Sequence, residues 1–200
     1  WRIKENANVG YSIGGLILRT SERVTAEYWL NLYPRAIAEA HKTAAIHVHD
    51  LGWLTGYCAG WSLRELLYEG FNGVDGYLQC EPARHMATAI SHMVNFLGTL
   101  QNEFAGAQAF SSVDTYLAPY VRIDNLSYAD KKNAMQTLIF NCAVPCRWGT
   151  QTPFINFTFD WTCPNDLKNQ RPFVGKKQAD FTYGDLQPEM DMINKAFLEV

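Results

Sequence analysis

The chain has 200 residues, 48% of them hydrophobic, with 14 glycines and a formal net charge of -3. That length suffices for one domain with a sizeable core, and the composition excludes a disordered chain. The mildly acidic balance speaks against a broad nucleic-acid-binding face and leaves room for a local basic pocket only, while no apolar run reaches the roughly 18–20 residues that span a bilayer.

Residues 1–20 read as an entry segment of polar and glycine-rich turns, and residues 1–15 show no apolar core of a signal peptide. Thr25 is an N-cap for "AEYWLNLYPRAIAEAHK", where Ala, Leu and Ile recur at helical spacing. Pro34 has no N–H to give and predicts two short helices or one kinked one. "AIHVHD" (45–50) alternates and reads as extended. Ser62 and Glu65 form a capping box for a helix over 62–69. "GFNGVDG" (70–76) is a loop, because its glycine spacing does not fit a phosphate-binding turn.

From Pro82, placed as a first helical residue, to about Val121, apolar residues recur at three and four. The pattern predicts one long helix or two consecutive ones. Gly98, Ala105, Gly106, Ala107 and Ala109 give this helix a face of small side chains, suited to close packing inside the fold or at a subunit interface. Ser127 and Asp130 start a helix over about 127–142. "FINFTFDW" reads as a strand, residues 164–182 as polar loop, and the region from about 185 onward as a last helix. With few strands and no neighbours for them, the expectation is a truncated α/β architecture. The opening at Trp1 without a Met and the close inside an amphipathic pattern lead to the same expectation, a piece of a larger polypeptide.

Fifteen residues, "HVHDLGWLTGYCAGW" (47–61), concentrate the chemistry. In an extended segment His47 and His49 share a face about 7 Å apart, and such a pair binds zinc when two further ligands come from elsewhere. Packed, hydrogen-bonded histidines beside Asp50 are the plainer alternative. Cys58 sits among Gly56, Tyr57, Ala59 and Gly60, small neighbours that leave a thiol accessible for redox or radical work; a buried structural cysteine is again the plainer reading. Cys80, Cys142, Cys146 and Cys163 read as structural. The odd count at irregular spacing makes a poor disulfide framework and points to a reducing cytoplasm. Arg147, in "RWGTQTPF", is a candidate to hold a phosphate or a core-edge salt bridge.

Four stretches, "ENANVGYSIGGL", "IHVHDLGWLTGYCAGWSLRELL", "NFLGTLQNEFAGAQAFSSVDTYLAPYVR" and "VPCRWGTQTPFINFTFDW", resemble the catalytic domain of anaerobic, class III ribonucleoside-triphosphate reductases. They occur in that family's order and cover the chain to about residue 167. The resemblance implies an α/β fold, the N-terminal, helix-rich part of a ten-stranded glycyl-radical-enzyme barrel, with residues 1–200 as a partial catalytic domain. The N-terminal cone domain and the C-terminal glycyl radical region would lie outside it. It implies reduction of ribonucleoside triphosphates to 2′-deoxyribonucleotides. A glycyl radical starts that chemistry, installed by a radical S-adenosylmethionine iron–sulfur activase, and a structural zinc is expected only in the C-terminal region.

By the same resemblance Cys58 matches the thiol that serves the ribose 2′ position. His47 and His49 become substrate-binding candidates, and Glu81 and Asn95 allosteric effector candidates. ATP or deoxynucleotide effectors, a homodimer and a cytoplasmic location follow, with no membrane or nucleic-acid partner. The reductant, formate or a redoxin, stays open. Two other readings stand beside it: a metal-dependent hydrolase built on the HxH pair, and a non-catalytic nucleotide-binding or dimerisation module.

Overall fold

The computed structural model describes residues 12–71, 76, 79–145 and 152–200. The expectations for the first eleven residues, for most of the 70–76 loop, and for Cys146 and Arg147 lie outside the described residues.

Helix α1 spans Ile13–Leu32 and α2 spans Arg35–Lys42. Pro34 separates them as expected, because a proline there cannot donate to the preceding turn. The first helix starts a dozen residues before Thr25. Ser12 is its true N-cap, accepting from the Gly15 N–H at 2.9 Å. Residues 13–20, expected as turns, are therefore helical. Two glycines at 14 and 15 lower helix propensity but do not stop a capped helix from propagating.

Three strands, β1 (Ala59–Trp61), β2 (Gln108–Phe110) and β3 (Ile155–Phe157), form a parallel sheet in the order β1-β2-β3. Ala59 pairs with Gln108, and Gln108 with Ile155. The strands therefore have partners inside this chain, contrary to the expectation. The partner missed is β2, which lies within the stretch expected to be continuous helix. That stretch is in fact α4 (Met86–Leu100), then β2, then α5 (Val113–Ile123). Pro82 does not open the helix; α4 begins four residues later, at Met86. The face of small residues dissolves accordingly, since Ala105, Gly106 and Ala107 are loop and Ala109 is strand.

The remaining elements follow the sequence more closely. Helix α3 (Leu63–Glu69) is capped by Ser62, which accepts from Glu65 N–H. Helix α6 (Tyr128–Cys142) opens on a full Ser127/Asp130 capping box. The 164–182 segment contains a small hairpin, β4 (Phe173–Val174) with β5 (Lys177–Gln178). A 3-10 turn, Tyr183–Leu186, leads into α7 (Gln187–Leu198). The result is a mixed α/β fold, helix-rich, with a small parallel sheet. None of its described helices is long and apolar enough to cross a membrane.

One core holds the sheet and its helices together. Met86, Ile90, Met93 and Leu97 of α4 are at most 2% exposed, the i, i+4, i+7, i+11 stripe that one helical face presents. They meet Leu117 and Val121 of α5, Met135 and Leu138 of α6, and Met190 and Ile193 of α7 in the same cluster. Deleting any one of these side chains would leave a cavity costing about 2–5 kcal/mol.

At the C-terminal end of the strands sits a polar hub. Asp114, fully buried, accepts from the backbone N–H groups of Thr115 and Asp160 on one oxygen. Its other oxygen accepts from the Trp161 N–H and from the Asn194 amide at 2.9 Å. A buried carboxylate is tolerated only when its lone pairs are filled this way. Asp160 in turn accepts from the Ser112 and Thr115 hydroxyls. The hub fastens the end of β3 to the start of α5 and to α7.

Candidate active site

The opposite, N-terminal end of the sheet carries Cys58, one residue ahead of β1. The backbone around it is laced to the loop before β2. Ala105 N–H donates to the Gly56 carbonyl at 3.1 Å, Gly106 N–H to the Tyr57 carbonyl at 2.5 Å, and Ala59 N–H to the Ala107 carbonyl at 3.0 Å. The Ala107 N–H points at the Cys58 sulfur, 3.1 Å away. That bond uses a sulfur lone pair and leaves the S–H hydrogen free. The thiol is exposed.

Gly106 makes this approach possible. A Cβ at that position would lie 2.4 Å from the Cys58 sulfur and 2.8 Å from the Tyr57 carbonyl oxygen. No side chain fits, so the glycine is required for contact and not for loop flexibility. An aromatic cluster anchors the strand that Cys58 leads into. Trp61 packs edge-on against Phe96 and Phe104 at 5.3 and 5.7 Å, and its indole N–H donates to the buried Gln108 amide oxygen at 2.6 Å. The strand that follows Cys58 therefore has a fixed position.

The histidines approach from the α2–β1 connection, which is turn and not strand. Asp50 holds a left-handed backbone, φ 54°, incompatible with the extended segment expected at 45–50. The bend brings the rings together by another route. His41 lies 5.7 Å from His47, His47 5.6 Å from His49, and His49 5.9 Å from the Tyr57 ring, centroid to centroid. His41 Nδ1 accepts from the Val48 N–H at 3.1 Å, and His49 Nδ1 is 3.1 Å from Asp50. His47 and His49 are exposed. The connection is anchored by buried Leu51 and by the Trp29 indole, which donates to the Trp53 carbonyl at 2.7 Å.

Thus the structure brings His47, His49 and the residue beside Cys58 into one chain of ring contacts. Among the described residues no group of three or more His, Cys, Asp or Glu side chains is disposed to hold a metal ion. Glu81 and Asn95 stand apart from this site. Glu81 pairs with Lys176, whose hydrogen bond and charge hold the carboxyl below its ordinary range. Asn95 sits on the exposed side of α4. Cys80, expected as structural, contacts a buried side chain. It is exposed, with its sulfur 3.1 Å from Nε2 of buried His92.

Sequence reasoning missed Gly106, Ala107, Gln108 and His41 as parts of this site. The available signal was a glycine flanked by alanines with an amide two residues on, which suits a close backbone approach as well as it suits a helix.

The model of the family described as anaerobic ribonucleoside-triphosphate reductase matches residues 5–200. The anaerobic ribonucleoside-triphosphate reductase of Enterobacteria phage T4 is 27% identical over 161 residues, covering 66% of this chain and 26% of that protein. The reductase of the same description from Haemophilus influenzae is 26% identical over 154 residues, 64% of this chain and 22% of that one. Among solved structures, the anaerobic ribonucleotide reductase from Thermotoga maritima in complex with dATP and CTP superposes with a TM-score of 0.74 at 22% identity. That match covers 94% of this chain and 34% of that one. The chain thus spans about a quarter of the length of the curated relatives it matches and about a third of the solved one.

Proposed function

Because this chain belongs to the anaerobic ribonucleoside-triphosphate reductase family, we propose that it forms part of a catalytic domain that reduces ribonucleoside triphosphates to 2′-deoxyribonucleotides, with Cys58 as the thiol serving the ribose 2′ carbon. The observation that carries this reading is the exposed sulfur held from behind by the Ala107 N–H, against a glycine that admits no side chain.

In this family a glycyl radical, carried on polypeptide outside the segment, supplies the unpaired electron that starts the sugar chemistry. The residues present fit that demand. An S–H bond can hand hydrogen to a carbon centre, and the cluster of Trp61, Phe96 and Phe104 fixes the strand that follows the thiol. Cys58 supplies hydrogen at the 2′ carbon as the hydroxyl leaves as water. An external two-electron donor, formate or a dithiol, restores the balance. His47 and His49 contact the substrate, and Arg147 is assigned to a substrate phosphate.

In the complete protein the same reading includes a homodimer, a radical S-adenosylmethionine activase, ATP or deoxynucleotide effectors near Glu81 and Asn95, a zinc site in the C-terminal region and a cytoplasmic location. The test is Cys58→Ser in the complete protein. Deoxynucleotide formation should be lost while the glycyl radical signal still appears on activation. Wild-type product yield from that variant would remove Cys58 from the mechanism.

A further inference from the structure

A cleft of about 210 Å3 opens on the helical side of the fold, between α3, α5, the β4 hairpin and the Tyr183–Leu186 turn. Arg64 and Arg171 both line it. Neither guanidinium has a hydrogen-bond or ion-pair partner among the described residues, although the chain as a whole is acidic. Two phenols, Tyr116 and Tyr183, form its floor with rings 5.8 Å apart and edge to face. Burial raises the pKa of both phenols, and Arg64 is near enough for its charge to oppose that rise in each, while Asp160, Asp166 and Glu65 add to it at Tyr116. Both phenols stay protonated and able to donate at neutral pH. Tyr68 closes one wall, and Glu65 is the one acidic group in the lining.

Two cations left unpaired beside neutral hydroxyl donors are half of an anion site. Arginine presents a planar fork of donors that matches phosphate oxygens. The volume sets the size of the occupant. It falls below the roughly 300–1,000 Å3 of sites for drug-sized ligands, so a whole nucleoside triphosphate does not fit inside. We propose that this cleft binds a small phosphate anion, clamped between Arg64 and Arg171 with the Tyr116 and Tyr183 hydroxyls donating from below. The bound group is either free phosphate or pyrophosphate, or the terminal phosphate of a nucleotide whose remainder stays outside. Glu65 disfavours a second negative group and accepts from a hydroxyl on the ligand. The inference does not depend on the role given to Cys58, because the cleft lies on the helical side and the thiol at the N-terminal edge of the sheet.

The test is arginine footprinting with phenylglyoxal on the full-length protein, read peptide by peptide. Pyrophosphate should slow modification of Arg64 and Arg171 by about tenfold and leave exposed Arg23 unchanged. A parallel arm with ATP separates the sources. Protection by pyrophosphate or phosphate assigns a free anion; protection by ATP alone assigns a nucleotide's phosphate. In Arg64→Gln the protection of Arg171 should disappear, since one anion holds both. Both side chains are exposed, so these variants keep the fold. No protection in any arm, equal slowing at Arg23, or full protection of Arg171 in R64Q overturns the proposal.

Discussion

The two ends of the parallel sheet are built on opposite terms. At the C-terminal end Asp114 is sealed from solvent and every oxygen is bonded. At the N-terminal end Cys58 is exposed and its sulfur accepts one backbone bond. Ligands of open α/β sheets usually bind beyond the carboxyl ends of the strands. Here that end is filled by a carboxylate that binds the fold to itself, and the chemistry is proposed for the other. The contrast teaches that burial and full hydrogen bonding mark residues that hold the chain together. Close backbone contact with an open face marks a residue placed to react.

The contrast can be broken most severely at Asp114. Asp114→Ala leaves four N–H donors without their acceptor, two of them in buried bonds, and should cost about 3–5 kcal/mol, seen as a lowered urea midpoint, with activity lost only as the fold is lost. A stable D114A would show that the hub is not a structural anchor. Gly106→Ala sharpens the opposite end. The added methyl collides with the Cys58 sulfur, so about 1–3 kcal/mol of stability should be lost while product formation falls far more than unfolding explains. Equal losses in the two measurements would mean that the glycine serves the fold alone.

The smallest effect lies between the two ends, at buried His92. Burial holds its imidazole pKa below the ordinary 6.5. The unfolded chain therefore binds this proton more readily, so stability is fully present above pH 6.5 and declines as pH falls below it. His92→Phe should flatten that part of the stability–pH curve while keeping the edge contact to Phe71, which thermal melts across the window would show. An unchanged slope would assign the acid sensitivity to other groups.

What could be read from sequence divides along similar lines. Local devices were legible. Pro34 parts two helices, Ser62 and Ser127 start two more, and the period of Met86, Ile90, Met93 and Leu97 marks a buried face. Each depends on residues within a turn or two of itself. Strand β2 was not legible, because "QAF", between Ala107 and Ser111, is too short to show a strand's alternation. It is a strand because β1 and β3, about fifty residues away on either side, supply its hydrogen bonds. The site was half legible for the same reason. Cys58 and its histidines stand in one short stretch, whereas the glycine and the N–H that hold the sulfur come from across the sheet. The extended segment expected at His47–His49 gave way to a turn through the left-handed Asp50, an arrangement that alternation of residue types does not reveal.

One feature of the helical layer reaches beyond statics. Helix α4 has no cap from its own N-cap residue, His85. Asp124, at the far end of α5, binds the Met86 N–H at 2.8 Å and His85 Nδ1 at 2.7 Å. During synthesis α4 therefore emerges 38 residues ahead of the carboxylate that closes its first turn. Until α5 has left the ribosome, the start of α4 stays frayed, and its final locking reports that both helices and the strand between them have come together.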